Sequence, residues 1–252
     1  MAYRTHLDDL WEHQIRPDGR TPNELRNVCC EMSVFRDTRA SGSAAFSIGN
    51  TKVVAAIYGP HEVRSTQKKS HNADKVNINC EYSSACFSSN ERKTSTKSDR
   101  KSIEVSTNLK ELLENIIVTD ALTAGTVLDA YIELIQDDGS SYSACINALT
   151  LALADARIPI RDYVVSCTAT ITNSLPMIDI NAQERGSSPE LTIAITAKNN
   201  QIIVLEQANL MPSMYLKDVV EEGVKGCQKV YRFIEEAVRQ QSSVVDTALK
   251  SI

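Results

Sequence analysis

The sequence predicts an α+β protein with two halves, each containing strands, a hairpin and then a helix. Residues 130–136 form a predicted strand rich in Tyr, Ile and Leu, and residues 144–153 form a predicted helix that is apolar on every side. A helix without a polar face is buried on all sides. We therefore expect this strand, the glycine turn at residues 137–141 and this helix at the centre of the molecule.

The other elements of the first half are bounded by turn signals. Gly49 and Asn50 separate two strands by a two-residue turn, which is a strong hairpin signal, and Gly59-Pro60 is expected to end the second strand. Residues 61–75 and 89–97 are predicted polar loops, and Ser98 or Asp99 is expected to cap the helix that follows. The predicted strands are residues 25–36, 44–48, 52–58, 76–88 and 130–136.

The second half repeats this order of elements, which suggests an internal duplication. A connector at residues 156–162 marks the predicted boundary between a first half, residues 1–156, that begins with an N-terminal arm, and a second half, residues 157–252. Ser213 is a candidate cap for the last helix, whose two glycines either weaken it or let another backbone approach closely. The final residues are expected to fray. The predicted strands are residues 163–172, 176–180, 191–196 and 201–205, with a polar loop at 181–189.

The start of the central helix is a candidate anion site. Ser140, Ser141 and Ser143 place hydroxyls beside unpaired backbone N–H groups, which suits a phosphate, although Ser140 or Ser141 as a simple N-cap is the alternative. The preceding helix has Arg100 and Lys101 in its first turn, where the helix dipole disfavours cations by about 0.3–1 kcal/mol. A bound anion would offset that cost, as would the preceding carboxylate or the solvent.

Composition excludes several classes of protein. The 252 residues include no apolar run of the roughly 20 residues that a membrane span needs, and they start without a secretory signal. The seven cysteines contain no C-x-x-C pair, so we interpret them as reduced, mostly buried thiols of a cytosolic or nuclear protein. Zinc is not expected, because the histidines and cysteines lack the spacing of a metal site, and no cofactor is expected either.

The positive charge is concentrated in one part of the chain. Residues 61–103 contain nine Lys or Arg against five Asp or Glu, although the whole chain has a net charge of −5. A basic segment in an acidic protein is typical of local contact with a polyanion. The alternative is a pair of solvated, lysine-rich loops.

Five short motifs at matching intervals give residues 16–238 a resemblance to the RNase PH family, and within it to the exosome ring subunits that correspond to the archaeal catalytic ring subunit. The motifs are RPDGR at 16–20, GNTK at 49–52, YGP at 58–60, DRKS at 99–102 and ALADA at 152–156. The resemblance implies an RNase PH-like fold, with two similar β-α-β halves, mixed sheets and helices packed between them. It also implies a six-subunit ring with RNA in a central channel.

Active members of this family cleave RNA by phosphorolysis, in which phosphate attacks the last phosphodiester and releases a nucleoside diphosphate. The attacking phosphate needs cations and helix-terminal N–H groups, and the RNA backbone needs positive charge. A carboxyl group must protonate the leaving oxygen or orient the reactants.

By this resemblance, the phosphate site is altered. The basic pair Arg100-Lys101 before a serine is retained. Active relatives have a Thr and then an Arg after the glycine turn, where this chain has Ser141 and Tyr142. A phenol has no charge and a single donor, so it cannot replace a bidentate guanidinium.

The carboxyl pair is altered as well. Active relatives place two Asp residues six positions apart after the short strand containing Asp179. The best alignment puts Arg185 and Glu190 there, with one residue deleted between them. Arg185 reverses the charge, and Glu190 retains a carboxyl in a changed register.

The resemblance and these substitutions together imply a non-catalytic ring subunit that threads RNA 3′ ends through the channel for RNA processing and degradation. One alternative is an active phosphorolytic 3′–5′ exoribonuclease that uses Glu190 with the basic pair. Another is a scaffold that makes only protein contacts. The candidate RNA-binding residues are Arg64, Lys68, Lys69, Arg92, Lys93, Arg100 and Lys101, the first three in a loop expected to line the entrance of the ring.

The resemblance also implies partners and a location. The expected partners are single-stranded RNA bound without regard to sequence, other RNase PH-type ring subunits, RNA-binding cap subunits and a separate nuclease. Expected locations are the nucleus, including the nucleolus, and the cytoplasm.

Overall fold

A computed structural model describes residues 15–62, 76–89, 99–172, 175–185 and 188–250. Within these ranges the chain forms nine β-strands in two sheets, together with four α-helices. The α+β fold with mixed strand directions and packed helices confirms the predicted class.

The first sheet contains the five strands of the first half. They are β1 (Val28–Met32), β2 (Gly42–Ile48), β3 (Thr51–Glu62), β4 (Asn77–Ser84) and β5 (Thr126–Gln136). Their order is β1-β2-β3-β5-β4, and β4 runs parallel to β5 while the other pairs are antiparallel. The predicted hairpin is present, because Ile48 of β2 pairs with Thr51 of β3 across the two-residue turn.

The second sheet contains the four strands of the second half. They are β6 (Val164–Thr172), β7 (Leu175–Ile178), β8 (Glu190–Thr196) and β9 (Ile202–Ala208). Their order is β7-β6-β8-β9, with antiparallel pairing throughout. All but the last residue of β6 are buried, which shows that both faces of this sheet are covered.

The central helix lies between the two sheets. The helices are α1 (Arg100–Ile116), α2 (Ser141–Asp155), α3 (Ala182–Arg185) and α4 (Ser213–Lys250), with a 3-10 turn at Thr119–Ala121. Helix α2 contacts β2 and β3 on one side and β6 on the other, and its residues from Ser143 to Leu153 are all buried. The prediction of a helix buried on every side is confirmed.

One polar side chain ties the central helix to the second sheet. The Asn147 amide donates a hydrogen bond to the carbonyl oxygen of Ser166 at 2.9 Å and accepts one from its backbone N–H at 2.8 Å. Buried polar groups need such partners, because an unpaired one costs about 1–3 kcal/mol.

Helix α4 covers the opposite face of the second sheet at close range. A Cβ atom added to Gly226 would lie 2.8 Å from the Cys167 sulfur, and one added to Gly223 would lie 2.4 Å from the Ile193 Cδ1. The structure therefore supports the interpretation that these glycines let another part of the chain approach the helix closely. Alternate side chains of β6 point to opposite faces, so Cys167 faces α4 while Ser166 lies against α2.

Several predicted element boundaries are wrong. Gly59-Pro60 does not end β3, which continues to Glu62 with an irregular pairing to β5 after Tyr58, as expected where a proline removes a ladder donor. Strand β1 stops at Met32 rather than 36, because Ser33 has a positive φ of 56°. Strand β4 stops at Ser84 and β5 starts at Thr126, before the predicted 130. Helix α4 continues to Lys250, and the expected fraying of the final residues stays a prediction.

The proposed boundary at residues 156 and 157 lies between α2 and β6, and the division into two domains stays a prediction. One cluster of buried apolar residues includes members of both sheets and of α2.

All seven cysteines are free thiols. Three of them are buried (Cys145, Cys167 and Cys227), two are half-buried (Cys30 and Cys80) and two are exposed (Cys29 and Cys86), so the prediction that the thiols are mostly buried is wrong.

Candidate functional site

The glycine turn before α2 is fastened to the second half of the chain. Gly139 has a φ of +87°, and a Cβ there would lie 2.4 Å from the carbonyl oxygen of Ile180. The Ser140 hydroxyl donates to that same carbonyl at 3.0 Å, and the Thr51 hydroxyl donates to the Gly139 carbonyl at 2.7 Å. Ser140 occupies the N-cap position without a side-chain cap bond, so the expectation that its hydroxyl caps the helix is wrong.

A buried carboxylate, Asp179, organises the wall opposite this turn. Its side chain is fully buried and accepts two hydrogen bonds from the Arg26 guanidinium, at 2.9 and 2.7 Å. Arg20 donates a further bond at 3.1 Å. Burial alone would lower the pKa of Arg26, but the paired Asp179 carboxylate raises it above its ordinary value. Arg26 also donates to the Asp138 carbonyl at 2.7 Å, so it joins the turn to the segment that follows β7.

A second arginine from the N-terminal segment holds the start of α3. Arg16 is fully buried and pairs with Glu184, with one contact of 2.9 Å from its Nε atom and a second from Nη2. It also donates to the carbonyl oxygens of Ile178 and Asp179, both at 2.7 Å. The N-terminal segment therefore orders one wall of the candidate site through charged hydrogen bonds, which are stronger than neutral ones.

Arg185 lies between two carboxylates at the centre of the candidate site. Its Nη1 atom is 3.3 Å from an Asp137 carboxylate oxygen, and its Nε atom is 3.2 Å from a Glu190 carboxylate oxygen. Burial lowers the pKa of Arg185, but Glu190 and Asp137 raise it, so the net change is upward. The carboxylate of Glu190 is therefore engaged by an internal cation.

Carboxylates also surround the first turns of α1. Burial raises the pKa of Glu206 on β9, and the nearby charge of Glu104 raises it further. The Asn108 side chain donates a hydrogen bond that lowers this pKa, Glu190 raises it, and Lys101 lowers it. Glu206 is thus within electrostatic range of Glu104, Glu190 and Lys101.

Tyr142 adds no positive charge to this region. Its hydroxyl oxygen is buried and has no hydrogen-bond partner among the described residues. Burial raises the pKa of Tyr142, and the charge of Glu206 raises it further. The phenol is therefore neutral at physiological pH and cannot supply the charge of a guanidinium. Ser141 is partly exposed at the start of α2.

The structure brings together only part of the predicted site. Arg185 and Glu190 are in contact, and Lys101 lies near Glu206, with Tyr142 beside the same carboxylate. Arg100 and Lys101 are exposed in the first turn of α1, where Asp99 makes no side-chain cap bond, so the expected Asp99 cap is wrong. The alternative cap and most of the candidate RNA-binding residues lie outside the described residues: Ser98, Arg64, Lys68, Lys69, Arg92 and Lys93.

Sequence reasoning missed the role of the arginines near the N terminus. Arg16 and Arg20 were expected to belong to an arm and its turn, and Arg26 to the strand at residues 25–36, yet all three hold walls of the candidate site. The sequence did contain one signal of this role. Three arginines lie between residues 16 and 26, where few carboxylates are close enough in sequence to pair with them. The carboxylates that pair with Arg16 and Arg26 lie more than 150 residues away.

The described residues contain neither a metal-binding cluster nor a membrane-spanning helix. No group of three or more His, Cys, Asp or Glu residues there has an arrangement that would hold a metal ion. No helix in the part of the chain that the structure describes combines the length and apolar character needed to cross a bilayer.

Comparison with known proteins identifies relatives along nearly the whole chain. A family model described as "3′ exoribonuclease family, domain 1" of the RNase PH type matches residues 24–159. The mouse protein named exosome complex component RRP41 is 36% identical over 244 residues, which are 96% of this chain and 98% of the relative. The RRP41 homologue of Arabidopsis thaliana is 36% identical over 92% of this chain and 95% of its own. The Rrp41 protein of Methanopyrus kandleri is 34% identical over 91% of this chain and 94% of its own.

Solved structures show the same fold. A structure titled as the Archaeoglobus fulgidus exosome with RNA bound to the active site superposes with a TM-score of 0.76 at 20% identity, covering 90% of this chain and 95% of the other. Rice Rrp46 superposes with a TM-score of 0.76 at 22% identity, covering 89% of this chain and all of the other. The two-sheet arrangement is therefore shared with these proteins.

Removing the buried carboxylate should destabilise the protein strongly. Asp179→Ala would leave two arginines without their buried partner, and breaking such a pair costs about 3–5 kcal/mol. The matched control is Asp18→Ala, which removes a partly exposed carboxylate from Arg20 and should cost about 0–1 kcal/mol. Urea unfolding followed by circular dichroism measures both, and equal losses would contradict the assigned role of Asp179.

Neutralising Glu206 should stabilise the protein at neutral pH. Its pKa is raised in the folded state, so the ionised form opposes folding, and stability falls as the pH rises through that pKa. Glu206→Gln should raise the free energy of unfolding at pH 7, and the gain should disappear well below the ordinary value of 4.5. Glu31→Gln, an exposed carboxylate on β1, is the control. An equal gain in the free energy of unfolding at pH 7 and at a pH well below 4.5 would refute the electrostatic explanation.

Proposed function

The chain belongs to the RNase PH family of 3′ exoribonucleases, and on that basis we propose that it is a non-catalytic, RNA-binding ring subunit of an RNA exosome. The family is one of phosphorolytic exoribonucleases, and its members related to this chain are named exosome components. In the proposed role the subunit guides RNA 3′ ends through the ring for processing and degradation, and a separate nuclease cuts them.

The observation that carries this proposal is the position of Arg185. Its guanidinium contacts the carboxylates of both Asp137 and Glu190. A carboxyl group that must protonate a leaving oxygen has to be available to the substrate. The Glu190 carboxylate is held instead by an internal cation, with one oxygen 3.2 Å from the Arg185 Nε atom, so it is not free to face a substrate.

The charge around the altered phosphate site supports the same proposal. Tyr142 replaces an arginine with a neutral phenol, and the Glu206 carboxylate lies within electrostatic range of Tyr142, Glu104 and Lys101. The negative charge of Glu206 would repel an anionic nucleophile. Loss of a phosphate arginine and loss of an available acid would each lower the rate by roughly 10² or more, judging from single-group deletions in other enzymes.

RNA binding and the assembly are proposed from the relatives. One structural neighbour is titled as an exosome with RNA bound and another as an archaeal exosome core. We infer that this chain joins other RNase PH-type subunits in a ring, with RNA-binding cap subunits and an associated nuclease. Exposed cations, among them Arg100 and Lys101, would contact RNA phosphates without reading sequence.

The proposed locations are the nucleus, the nucleolus and the cytoplasm, and a fluorescent fusion expressed from the native promoter tests them.

The competing proposal is an active phosphorolytic 3′–5′ exoribonuclease that uses Glu190 with Arg100 and Lys101. It requires Glu190 to separate from Arg185 when RNA and phosphate bind. The activity test described next can reveal this alternative, which is worth testing because archaeal relatives such as Methanopyrus kandleri Rrp41 match over nearly the whole chain.

The assembled ring should release no nucleoside diphosphate. Terminally labelled RNA is incubated with inorganic phosphate and the ring that contains this chain, and the products are separated by thin-layer chromatography. A phosphorolytic member of the family is the positive control. Phosphate-dependent release of diphosphates that is abolished by Glu190→Gln would replace the proposal with the active alternative.

Reversing the charge of the loop that the sequence places at the ring entrance should weaken RNA passage. The triple variant Arg64→Glu, Lys68→Glu and Lys69→Glu should shorten the RNA segment protected from nuclease and weaken RNA binding. The affinity should also depend less steeply on salt, since each lost phosphate contact lowers the slope of log affinity against log salt concentration by about 1.

The matched control reverses three helical surface lysines, Lys110, Lys217 and Lys225, each of which makes an exposed ion pair. Equal RNA protection in the test and control rings would argue against a channel role for the loop.

A further inference from the structure

The face of the first sheet that points away from α2 is uncovered in the part of the chain that the structure describes. Successive side chains of a strand point to opposite faces. On β5 between Leu128 and Ile135, the side chains that face α2 are buried, whereas the alternate ones are exposed or half-buried. We call this second surface the open face, and it borders a depression of about 1070 Å³. Its residues are Val54, Ala56 and Tyr58 on β3, Asp129, Tyr131, Glu133 and Ile135 on β5, and Asn79, Glu81 and Ser83 on β4.

Apolar and aromatic side chains occupy the middle of the open face, where a solvated sheet face would carry polar ones. Tyr58 and Tyr131 contact each other edge to face, with their ring centroids 5.7 Å apart. Tyr131 is 43% exposed, and Val54 and Ile135 line the same depression. A contiguous exposed surface of this kind marks an interaction site, and tyrosine is enriched at protein interfaces.

Three carboxylates surround Tyr131 on the open face. Asp129 and Glu133 lie two positions before and after it on β5, and Glu81 is its partner in register on β4. Neighbouring strands are about 4.8 Å apart, and alternate residues of one strand are about 7 Å apart. The aromatic ring is therefore presented among side chains that attract a cation.

The cations of the open face do not balance these carboxylates. The depression is lined by Arg39 and by His61, whose Nε2 atom is 3.6 Å from an Asp129 carboxylate oxygen. The Asn79 amide donates a hydrogen bond to the same carboxylate at 2.9 Å. Even with His61 protonated, three carboxylates exceed two cations, so this surface is negative and repels a polyanion such as RNA.

We propose that the open face is a docking surface for a protein partner, and that an arginine of this partner stacks on Tyr131 and pairs with the carboxylates beside it. A guanidinium suits both contacts, because it is planar, stacks on aromatic rings and binds carboxylates through two parallel hydrogen bonds. Its aliphatic stem covers apolar surface at the same time. A second copy of this chain is disfavoured, because two negative faces would repel each other. The proposal adds a protein contact to the RNA contacts proposed above and does not depend on them.

The first test titrates the full chain, with isotope-labelled tyrosine rings, with a short peptide that contains two arginines, and follows the ring signals by NMR. The matched probe is the same peptide with citrulline in place of arginine, which keeps the planar group and removes its charge. The arginine peptide should shift the signals of Tyr58 and Tyr131, and the citrulline peptide should bind at least about fivefold more weakly. Equal binding of the two peptides overturns the docking surface, as does a shift of the Tyr131 signal by single-stranded RNA.

Variants of the open face locate the contact. Tyr131→Ala and Glu133→Gln should each weaken binding of the arginine peptide by about two- to fivefold, the loss of one exposed cation–π contact or one exposed ion pair. Tyr131→Phe, which keeps the ring, should bind as the wild type does. The same holds for Glu221→Gln, which removes an exposed carboxylate from α4. Unchanged binding by both Tyr131→Ala and Glu133→Gln overturns the docking surface.

The second test identifies the partner in the assembled complex. A photocrosslinking phenylalanine analogue at position 131 should form an adduct with a protein segment that contains an arginine. Replacing that arginine by alanine should abolish the adduct, and so should the double variant Glu81→Lys and Glu133→Lys. The same analogue at position 233, an exposed site on α4, should form adducts that the double variant leaves unchanged.

The outcomes of the crosslinking separate this proposal from the proposed function. Adducts of position 131 with RNA or with a second copy of this chain overturn the docking surface, as does a complex without any adduct there. Each of these results leaves the ring subunit role intact. Failure of the chain to enter any complex overturns the proposed function, and the peptide titration then decides the docking surface by itself.

Discussion

The pairing of the buried Asp179 carboxylate with Arg20 and Arg26 is the interaction on which the rest of the site depends. A fully buried carboxylate is tolerated only when it is paired and hydrogen-bonded, so it fixes the position of the arginines that reach it. Arg26 uses its remaining donors on backbone carbonyls of the glycine turn. The start of α2 is thereby held at a fixed distance from the segment after β7. The site is rigid because its two walls share one ionic network.

The apolar core and the charged residues at the centre of the site occupy different parts of the molecule. The core depends on α2, whose residues from Ser143 to Leu153 are buried between the two sheets. Arg185, Glu190 and Tyr142 lie at the edge of that core, where substitutions change charge more than packing. A fold can therefore survive the loss of its catalytic groups, since function resides in sites carried by the fold and not in the fold itself.

The carboxylates of the candidate site are neutralised by arginines of the protein itself. Asp137 and Glu190 are paired with Arg185, and Asp138 lies near Arg26. Arg185 and Arg26 are therefore occupied by carboxylates of the protein itself. In the proposed role, the exposed basic pair Arg100 and Lys101 on α1 would contact RNA phosphates without reading sequence.

The sequence by itself determined the α+β class, the hairpin around Gly49 and Asn50, and the buried central helix. These features follow from local periodicity and turn chemistry, which adjacent residues control. The motifs also determined the family, and the substitutions at Tyr142 and Arg185 could be located from them. Local sequence preference did not predict where β3 ends or what the Ser140 hydroxyl binds. Pairing with β5 continues β3 past Gly59-Pro60, and the Ser140 hydroxyl donates to the distant Ile180 carbonyl instead of capping α2.

Only the tertiary structure decided which charges meet. Arg16 and Glu184 are 168 residues apart, and Arg185 finds Asp137 across the two halves of the chain. Such pairs depend on how two sheets pack around one helix, and no local pattern encodes that distance.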